Sequence, residues 1–229
     1  MLKIYGVPVS VHTRKVLIVA ALKGLPHEVI PVVPVIPGNP PSNWRELSPT
    51  GRIPAITDGD FTVADSTAIC MYLDHAYPKP AIYPTAAKEL AQVLSLELYA
   101  TEHLFRNVVR PLFHEVFVHP RIHNRPRDLA VIEQVFAESI PEVFGYLDGL
   151  AGAGFLVGQT ISTADLAVVS NLVTYRYCGF DLDRNRFGRL AQYFDRMISA
   201  PCIWQTLQNE KSSAASMGLN DEILKAVAA

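Results

Sequence analysis

The sequence predicts a small α/β unit followed by an all-helical region. Over residues 1–80, short β-branched runs alternate with helical stretches, whereas after residue 86 strand patterns fade and apolar residues recur at helical spacing. A proline-bearing segment at 77–84 separates the two parts. With 229 residues, 49% of them hydrophobic, the chain can bury a sizeable core in one or two domains. We therefore expect domains at residues 1–80 and 86–229.

The elements of the first part follow a β-α-β-loop-β-β-α order. Gly24 is expected just past the first helix, because glycine adopts the left-handed conformation of a helix C-terminus without steric cost. Asp58-Gly59-Asp60 is a strong hairpin-turn signal. The predicted elements are strand 2–5, helix 10–23 with one buried stripe (Val16, Leu17, Ala20, Ala21), edge strand 28–33, exposed loop 34–43, hairpin strands 54–57 and 61–63, and a helix that opens at Asp65-Ser66.

About five helices are expected in the second part, judged from its periodic apolar stretches. Pro111 and Pro141 each lie inside such a stretch. Because proline lacks an N–H, the helix is predicted to end or kink at Pro111 and to kink at Pro141. The sequence Ser162-Thr163-Ala164-Asp165 is similar to a capping box and predicts a helix start.

Charge and cysteine content exclude several classes of protein. Twenty basic residues against 22 acidic ones leave a net charge of −2, which argues against a nucleic-acid partner. Three widely spaced cysteines predict neither a disulfide framework nor a metal site, and Cys70 is expected to be packed in a helix. No metal is expected at the histidines at 114, 119 and 123 either. The sequence has no signal-peptide pattern and no uncharged apolar run of about 20 residues. We expect a cytoplasmic protein that does not bind membranes.

Ser10 lies where the first predicted helix begins. A helix N-terminus presents free N–H groups and a partial positive charge, which together stabilise an anion. If the anion is a thiolate, the Ser10 hydroxyl can donate a hydrogen bond to it and lower the pKa of the thiol below its free value of about 8.5. The alternative is that Ser10 is only an N-cap.

Two further segments carry a signal for a peptide-like ligand. A proline that opens a strand, as Pro54 does, fits a sheet when it is cis or at an edge, and a cis Ile53–Pro54 bond would leave the Ile53 backbone free to pair with a peptide. Asp65 and Ser66 open a helix, where they can hold an amino-acid head group through its ammonium and carboxylate. Both segments also have a purely structural interpretation, as an edge-strand proline and as a helix cap.

These segments resemble the cytosolic glutathione transferase family over essentially the whole chain, most closely its phi-like, serine-using members. The matching residues are Tyr-Gly-x-Pro-x-Ser-x-x-Thr-Arg at 5–14, Gly-x-x-Pro at 51–54, Asp65-Ser66, and Phe155-Leu156-Val157-Gly158 followed by Ser162-Thr163-Ala164-Asp165. The resemblance implies a thioredoxin-like domain that binds glutathione, followed by an all-helical domain that contributes the pocket for an electrophile. It also implies a homodimer, a role in detoxification, and glutathione as co-substrate without a metal.

The resemblance also implies roles for individual residues. Ser10 would activate the glutathione thiol, with Tyr5 as the competing candidate because tyrosine-using classes place theirs at the end of the first strand. The glutathione-binding residues would be Arg52, Ile53, Pro54, Asp65 and Ser66. The sequence departs from phi-like members at Asn39 and Pro40, which replace a His-Lys pair that grips the glycine carboxylate. Arg52, Arg45 or a partner subunit would have to substitute for that pair.

The electrophile pocket is expected to use the loop after the first strand and residues 102–117. The candidate residue near the loop is His12. The candidates in residues 102–117 are Arg106, Arg110 and Phe113, and this stretch also contains His103, His114 and Phe117. The structural alternative is that the aromatic residues pack between helices and the arginines are solvated.

Three functions remain open from the sequence. The first is an enzyme that conjugates glutathione to a small, mainly apolar electrophile. The second is a glutathione-dependent disulfide or peroxide reductase, which the absence of cysteine from residues 6–14 disfavours. The third is a non-enzymatic protein that binds glutathione or another ligand, since a fold does not prove an activity.

Overall fold

The computed structural model describes residues 1–220, and its strands form one four-stranded sheet in the order β2-β1-β3-β4. β1 pairs with β2 in parallel and with β3 in antiparallel fashion, and β3 and β4 form the predicted hairpin. β2 lies at the edge and ends one residue before Pro31, so this proline removes no hydrogen bond from the ladder. The strands are β1 (Leu2–Tyr5), β2 (His27–Ile30), β3 (Ala55–Asp58) and β4 (Phe61–Ala64).

Three helices belong to the same part of the chain as the sheet. They are α1 (Val11–Leu22), α2 (Trp44–Leu47) and α3 (Ser66–Ala76). α1 begins after Ser10, as predicted, and Gly24 follows its end with φ of +62°. The sheet, α1 and α3 form the α/β unit that the sequence predicts.

Five helical runs occupy the rest of the described chain. No helix within residues 1–220 is both long and apolar enough to cross a bilayer. The runs are α4 (Ala87–Leu98), which continues through a π-helical segment (Tyr99–Val109), α5 (Arg110–Phe113) and a second π-helical segment (His114–Ile122); α6 (Leu129–Gln134), which continues through a third π-helical segment (Val135–Ser139) into α7 (Ile140–Leu150); α8 (Thr163–Tyr177); α9 (Gly188–Ile198); and α10 (Pro201–Ser216).

The helical runs continue past Pro111 and Pro141. The helical run from α4 continues past Pro111 to Ile122. Pro111 and Pro141 both lie in the first turn of an α-helical segment that follows a π-helical one. The change of hydrogen-bond step at such a junction leaves room for a residue that cannot donate. Of the two predicted alternatives at Pro111, an end is wrong, because the helical run continues there through a change of helical type.

α8 is the centre of the molecule. Nearly all of its side chains are buried, and it packs against α1, α4 and the π-helical segment Tyr99–Val109. α1 is consequently covered on two sides, by α3 and by the helices α8 and α10. The predicted single stripe on α1 is thus too narrow, since most positions from Val11 to Ala20 are buried. The predicted buried stripe includes Ala21, but this residue is exposed.

Buried ion pairs fix α1 in place. Three cationic side chains of this helix and of the residue that follows it are buried, and each has a carboxylate partner on another helix. A buried charge is costly unless it is paired, so these contacts strongly specify how α1 sits between its neighbours. The pairs are Arg14–Glu210, Lys15–Glu97 and Lys23–Asp74, with N···O distances of 2.9, 2.6 and 2.7 Å.

The start of α8 uses the predicted capping residue. The Asp165 carboxylate accepts hydrogen bonds from the backbone N–H and the hydroxyl of Ser162, both at 2.9 Å. It also accepts one from the Tyr193 hydroxyl at 2.7 Å. The buried start of α8 therefore has its polar groups satisfied, which confirms the predicted helix start.

Candidate active site

A cavity of about 370 Å³ lies between the α/β unit and the helical region. Its walls come from the loop after β1, the first turn of α1, the loop after β2, the segment before β3, and the long helical run that starts with α4. Most lining side chains are apolar. The lining residues are Val7, Val9, Ser10, Val11, His12, Val33, Pro34, Val35, Gly51, Arg52, Ile53, Thr101, Glu102, Phe105, Arg106, Arg110, Phe113, His114, Phe117, Val118, Ile122, Thr174 and Met217.

Ser10 lines this cavity with a hydroxyl that the helix does not use. Its backbone is extended (φ −70°, ψ 131°), and its C=O accepts the first helical hydrogen bond from the Arg14 N–H at 2.8 Å. The hydroxyl accepts none from the first turn, and the N–H groups of residues 11–13 have no partner within residues 1–220. Ser10 therefore does not act as a side-chain cap, and both its hydroxyl and the helix N-terminus are open to an anion.

Close packing of Gly6 against Thr13 shapes the loop that carries Ser10. A Cβ added at Gly6 would lie 2.4 Å from Oγ1 of Thr13, a side chain that is fully buried. Gly6 also donates its N–H to the Ile30 C=O at 2.9 Å, which ties the loop to the edge strand. Glycine is thus required here by close approach, and the loop conformation depends on it.

We expect Gly6→Ala to lower the free energy of unfolding by about 1–3 kcal/mol, because overpacking displaces Thr13 or the loop. Urea denaturation measures this loss. Gly145→Ala is the matched control: Gly145 lies in α7, and a Cβ there meets no atom within 4 Å. That control should be neutral or stabilising by up to about 1 kcal/mol. Equal stability of the two variants would contradict the close approach at Gly6.

The segment before β3 presents a free backbone to the cavity. The Ile53–Pro54 bond is cis, and the N–H and C=O of Ile53 have no partner in the described part of the chain. Arg52 and Ile53 line the cavity, whereas Pro54 is buried behind them. The Arg52 C=O accepts a hydrogen bond from the Ser48 hydroxyl at 2.6 Å, which holds the segment while leaving the exposed guanidinium unpaired among residues 1–220.

Asp65 and Ser66 stand beside the cavity rather than in its lining. Asp65 is the N-cap of α3 with φ of +81°, and its Oδ1 accepts from the N–H groups of Thr67 and Ala68 at 2.9 and 3.2 Å. Its Oδ2 has no partner among residues 1–220. Ser66 is buried at the first turn of the helix. Asp65 thus serves as a cap, as its structural interpretation has it, and one carboxylate oxygen stays available.

His12 connects these residues to the cavity. Its ring packs edge-on against Phe105, with 4.7 Å between ring centroids. Burial lowers the pKa of His12 from 6.5 to about 4, helped by the positive charges of Lys15 and Arg52 and opposed by the negative charge of Asp65. His12 is therefore a neutral imidazole near pH 7, and the charges of Asp65 and Arg52 both reach this point of the site.

Tyr5 faces the other side of the sheet. Its ring lies 6.4 Å from that of Trp44, in a small apolar cluster with Val32 and Ala55, and it does not line the cavity. Successive residues of a strand point to opposite faces, and here Ile4 takes the face that packs on the main core. Ser10 therefore lines the cavity, whereas Tyr5 packs on the opposite face of the sheet.

The long helical run contributes both apolar and cationic groups. Phe113 stacks on Phe117 with 5.2 Å between centroids, and Arg106 forms an ion pair with Glu102. Arg106, Arg110 and Phe113 all line the cavity, as the helical spacing predicts. His103 does not line the cavity. Its Nε2 lies 3.6 Å from Oε1 of Glu142 on α7.

Sequence reasoning missed several wall residues. Pro34 and Val35 come from the proline-rich segment that the sequence predicts only as an exposed loop, and Val33 from the end of the predicted edge strand. Thr174 and Met217 come from distant parts of the chain. No motif in the sequence marks these residues as part of a site. They reach the cavity only because of the path that the folded chain takes. The proline-rich loop beside the edge strand was the one usable hint.

The positions that depart from phi-like sequences offer no cation. Asn39 accepts a hydrogen bond from the Val33 N–H at 2.6 Å and so fastens the loop to itself. Arg45 donates to the Pro49 C=O at 3.0 Å and packs against Gly51. Among the substitutes considered from this chain, Arg52 is the one that lines the cavity.

Of the three cysteines, Cys70 and Cys178 are buried and Cys202 is partly exposed. Burial raises the pKa values of Cys70 and Cys178 to about 12, so both thiols stay protonated and unreactive. Cys70 is packed in α3, as expected. Within residues 1–220, no group of three or more His, Cys, Asp or Glu side chains is arranged to hold a metal ion.

Comparison with known proteins gives the family. Residues 4–81 match the family model "Glutathione S-transferase, N-terminal domain", and residues 113–210 match "Glutathione S-transferase, C-terminal domain". The chain therefore belongs to the glutathione S-transferase family, a family of transferases. The fold, a small mixed sheet with helices followed by a helical region, is the one that the sequence predicts.

Individual relatives agree with this assignment. Glutathione S-transferase 3 from Zea mays is 32% identical over 165 residues, which are 72% of this chain and 73% of the relative. Glutathione S-transferase theta-1 from Homo sapiens is 31% identical over 179 residues, 75% of this chain and 72% of the relative. The apo structure of human glutathione S-transferase T1-1 superposes with a TM-score of 0.81 at 25% identity, covering 100% of this chain and 92% of that one.

Proposed function

We propose that the protein conjugates glutathione to a small electrophile with a mainly apolar body, with Ser10 as the residue that activates the thiol. The observation that carries the proposal is the unused Ser10 hydroxyl at an open helix N-terminus in the cavity wall. Hydrogen bonding to a thiolate and the helix dipole both favour the charged sulfur, which is the nucleophile. The thiol proton first leaves to solvent. The sulfur then forms a bond to the electrophilic carbon while a leaving group departs with its bonding electrons or, in an addition, a carbon–carbon π bond opens and takes up a proton.

The residues around Ser10 suit the rest of the glutathione molecule. The free N–H and C=O of Ile53, held by the cis bond to Pro54, can pair with the cysteinyl backbone in the manner of an added strand. The free Oδ2 of Asp65 can take the γ-glutamyl ammonium, and Ser66 its carboxylate. We assign the glycine carboxylate to Arg52, because Asn39 and Pro40 supply no cation.

The electrophile would occupy the part of the cavity lined by the long helical run. His12, Arg106, Arg110 and Phe113 surround this space, and binding there brings the electrophile close to the sulfur. We further propose a cytoplasmic homodimer that acts in detoxification and requires no metal, no nucleic acid and no membrane.

Calorimetric titration of glutathione in two buffers of different ionisation heat tests the proposal. We expect binding with about one proton released near neutral pH, because a thiol must lose its proton to become a thiolate. Binding without proton release would instead favour a carrier or a disulfide reductase. No binding would mean that the departures at Asn39 and Pro40 have abolished the glutathione site.

A further inference from the structure

Positive charge is concentrated in residues 103–127, a stretch of which part lines the cavity. Residues 103–127 contain five arginines, no lysine and one carboxylate, although the chain as a whole has a net charge of −2. That carboxylate, Glu115, is buried and occupied: it accepts a hydrogen bond from the Asp128 N–H at 2.8 Å and lies 3.1 Å from Nδ1 of His119. It is therefore committed to holding its own part of the helix rather than to neutralising an arginine.

Two of these arginines line the cavity, and their partners differ. Arg106 is paired with Glu102, the one carboxylate among the described lining residues. Arg110, the next cation along the same wall, has no hydrogen bond or ion pair with any residue of the described chain. Arg110 is thus an exposed positive charge in the cavity lining, without a counter-ion among residues 1–220.

The surroundings of Arg110 strengthen its attraction for an anion. Burial lowers the pKa of the neighbouring His114 from 6.5, and the charge of Arg110 lowers it further, so His114 adds little positive charge of its own at pH 7. The stacked rings of Phe113 and Phe117 lie on the same wall. A cation next to low-dielectric surfaces attracts an opposite charge more strongly than one in open water.

We propose that the electrophile carries a carboxylate on an aromatic or alkyl body, and that Arg110 binds this carboxylate. The inference rests on the proposed function and names its substrate class. Arginine matches a carboxylate with two parallel N–H···O bonds, which fixes the orientation as well as the position of the ligand. The apolar body fits the walls formed by Val9, Phe105 and Phe113, so that the acid lies at Arg110 and the reacting carbon near Ser10.

A pair of electrophiles that differ in charge tests this assignment. We would compare 4-chloro-3,5-dinitrobenzoate with 4-chloro-3,5-dinitrobenzamide, dividing each kcat/KM by the uncatalysed rate constant with glutathione. In both reactions a carbon–sulfur bond forms, chloride leaves with its bonding electrons, and the thiol proton passes to solvent. The full-length protein and three variants are needed: Arg110→Gln, Arg110→Lys, and Arg125→Gln. The last removes a charge from the same basic stretch but outside the cavity lining.

We expect Arg110→Gln to lower kcat/KM for the benzoate about tenfold or more, mainly through KM, and to lower the value for the benzamide by a clearly smaller factor. Arg110→Lys should retain part of the preference, because it keeps the charge but loses the paired geometry. Arg125→Gln should leave both substrates unaffected.

The other outcomes separate the two proposals. An equal fall for both electrophiles in Arg110→Gln, or an equal effect of Arg125→Gln, would contradict a specific site at Arg110. Turnover of the benzamide without preference for the benzoate would overturn the inference and leave conjugation intact. Turnover of neither compound by a protein that binds glutathione would also overturn the inference, whereas loss of proton-linked glutathione binding would overturn the proposed function itself.

Discussion

Ser10→Ala is expected to lower kcat for conjugation about 10²-fold or more, a size typical of removing one donor to a developing or bound anion. Its effect on glutathione affinity should be small, because Ile53, Asp65 and Arg52 would still contact the peptide. The pKa of the bound thiol should rise towards its free value of about 8.5, since the thiolate loses a hydrogen bond while the helix dipole remains. Turnover against pH and glutathione titration together measure these effects.

Tyr5→Phe is the matched control for Ser10→Ala, because it removes a hydroxyl from the competing candidate. Tyr5 packs against Trp44 outside the cavity, so this variant should keep wild-type turnover. The opposite pattern, a loss in Tyr5→Phe and none in Ser10→Ala, would reverse the assignment. Equal loss of affinity and turnover in Ser10→Ala would mean that Ser10 only supports the helix start.

Glu210→Ala should destabilise the fold by about 3–5 kcal/mol, the usual cost of leaving one member of a buried ion pair alone. Glu210 lies within 2.9 and 3.0 Å of Nε of Arg14 and accepts a hydrogen bond from the Tyr177 hydroxyl at 2.6 Å. Arg14 is fully buried and cannot reach water when Glu210 is removed. Denaturant unfolding measures the loss, and Glu210→Gln, which keeps hydrogen-bonding atoms, provides a milder variant.

Glu210→Ala should also lower the rate of glutathione conjugation. Arg14 donates a hydrogen bond to the C=O of Val9 at 2.9 Å, and Val9 directly precedes Ser10. The Arg14–Glu210 ion pair therefore helps to position the loop that carries Ser10. Asp195→Ala is the control: its partner Arg184 lies 2.8 Å away, but both side chains are about half exposed or more, and such pairs contribute about 0–1 kcal/mol. If Glu210→Ala and Asp195→Ala cost the same, the buried pair has no special role.

Much of the first eighty residues was readable because local chemistry determines it. Local signals act within a few residues of their own position. They correctly predicted the end of α1 at Gly24, the turn at Asp58-Gly59-Asp60 and the start of α3 at Asp65. Ser10 was placed at the correct helix start for the same reason. The Ser10 hydroxyl does not cap the helix. This depends on the positions of individual atoms, which cannot be predicted from the sequence.

The second half was predicted less completely because its helices depend on long-range packing. Periodicity located the helical runs, but not the π-helical segments that let the chain pass Pro111. Burial of nearly all of α1 and α8 also depends on neighbours that come from both halves of the chain. A stripe on a helix shows one buried face and cannot show that a second layer covers the other.

By itself, the sequence determined the order of elements, the family resemblance and the identity of most groups that could bind glutathione, because these follow from local patterns and short motifs. Only the tertiary structure decided which cations are committed to partners. Arg14 and Lys15 lie within five residues of Ser10 in sequence but are neutralised by Glu210 and Glu97 from distant helices, whereas Arg110 has no such partner among residues 1–220. Charge pairing depends on distance in space, and that distance is set by the packing of the two halves.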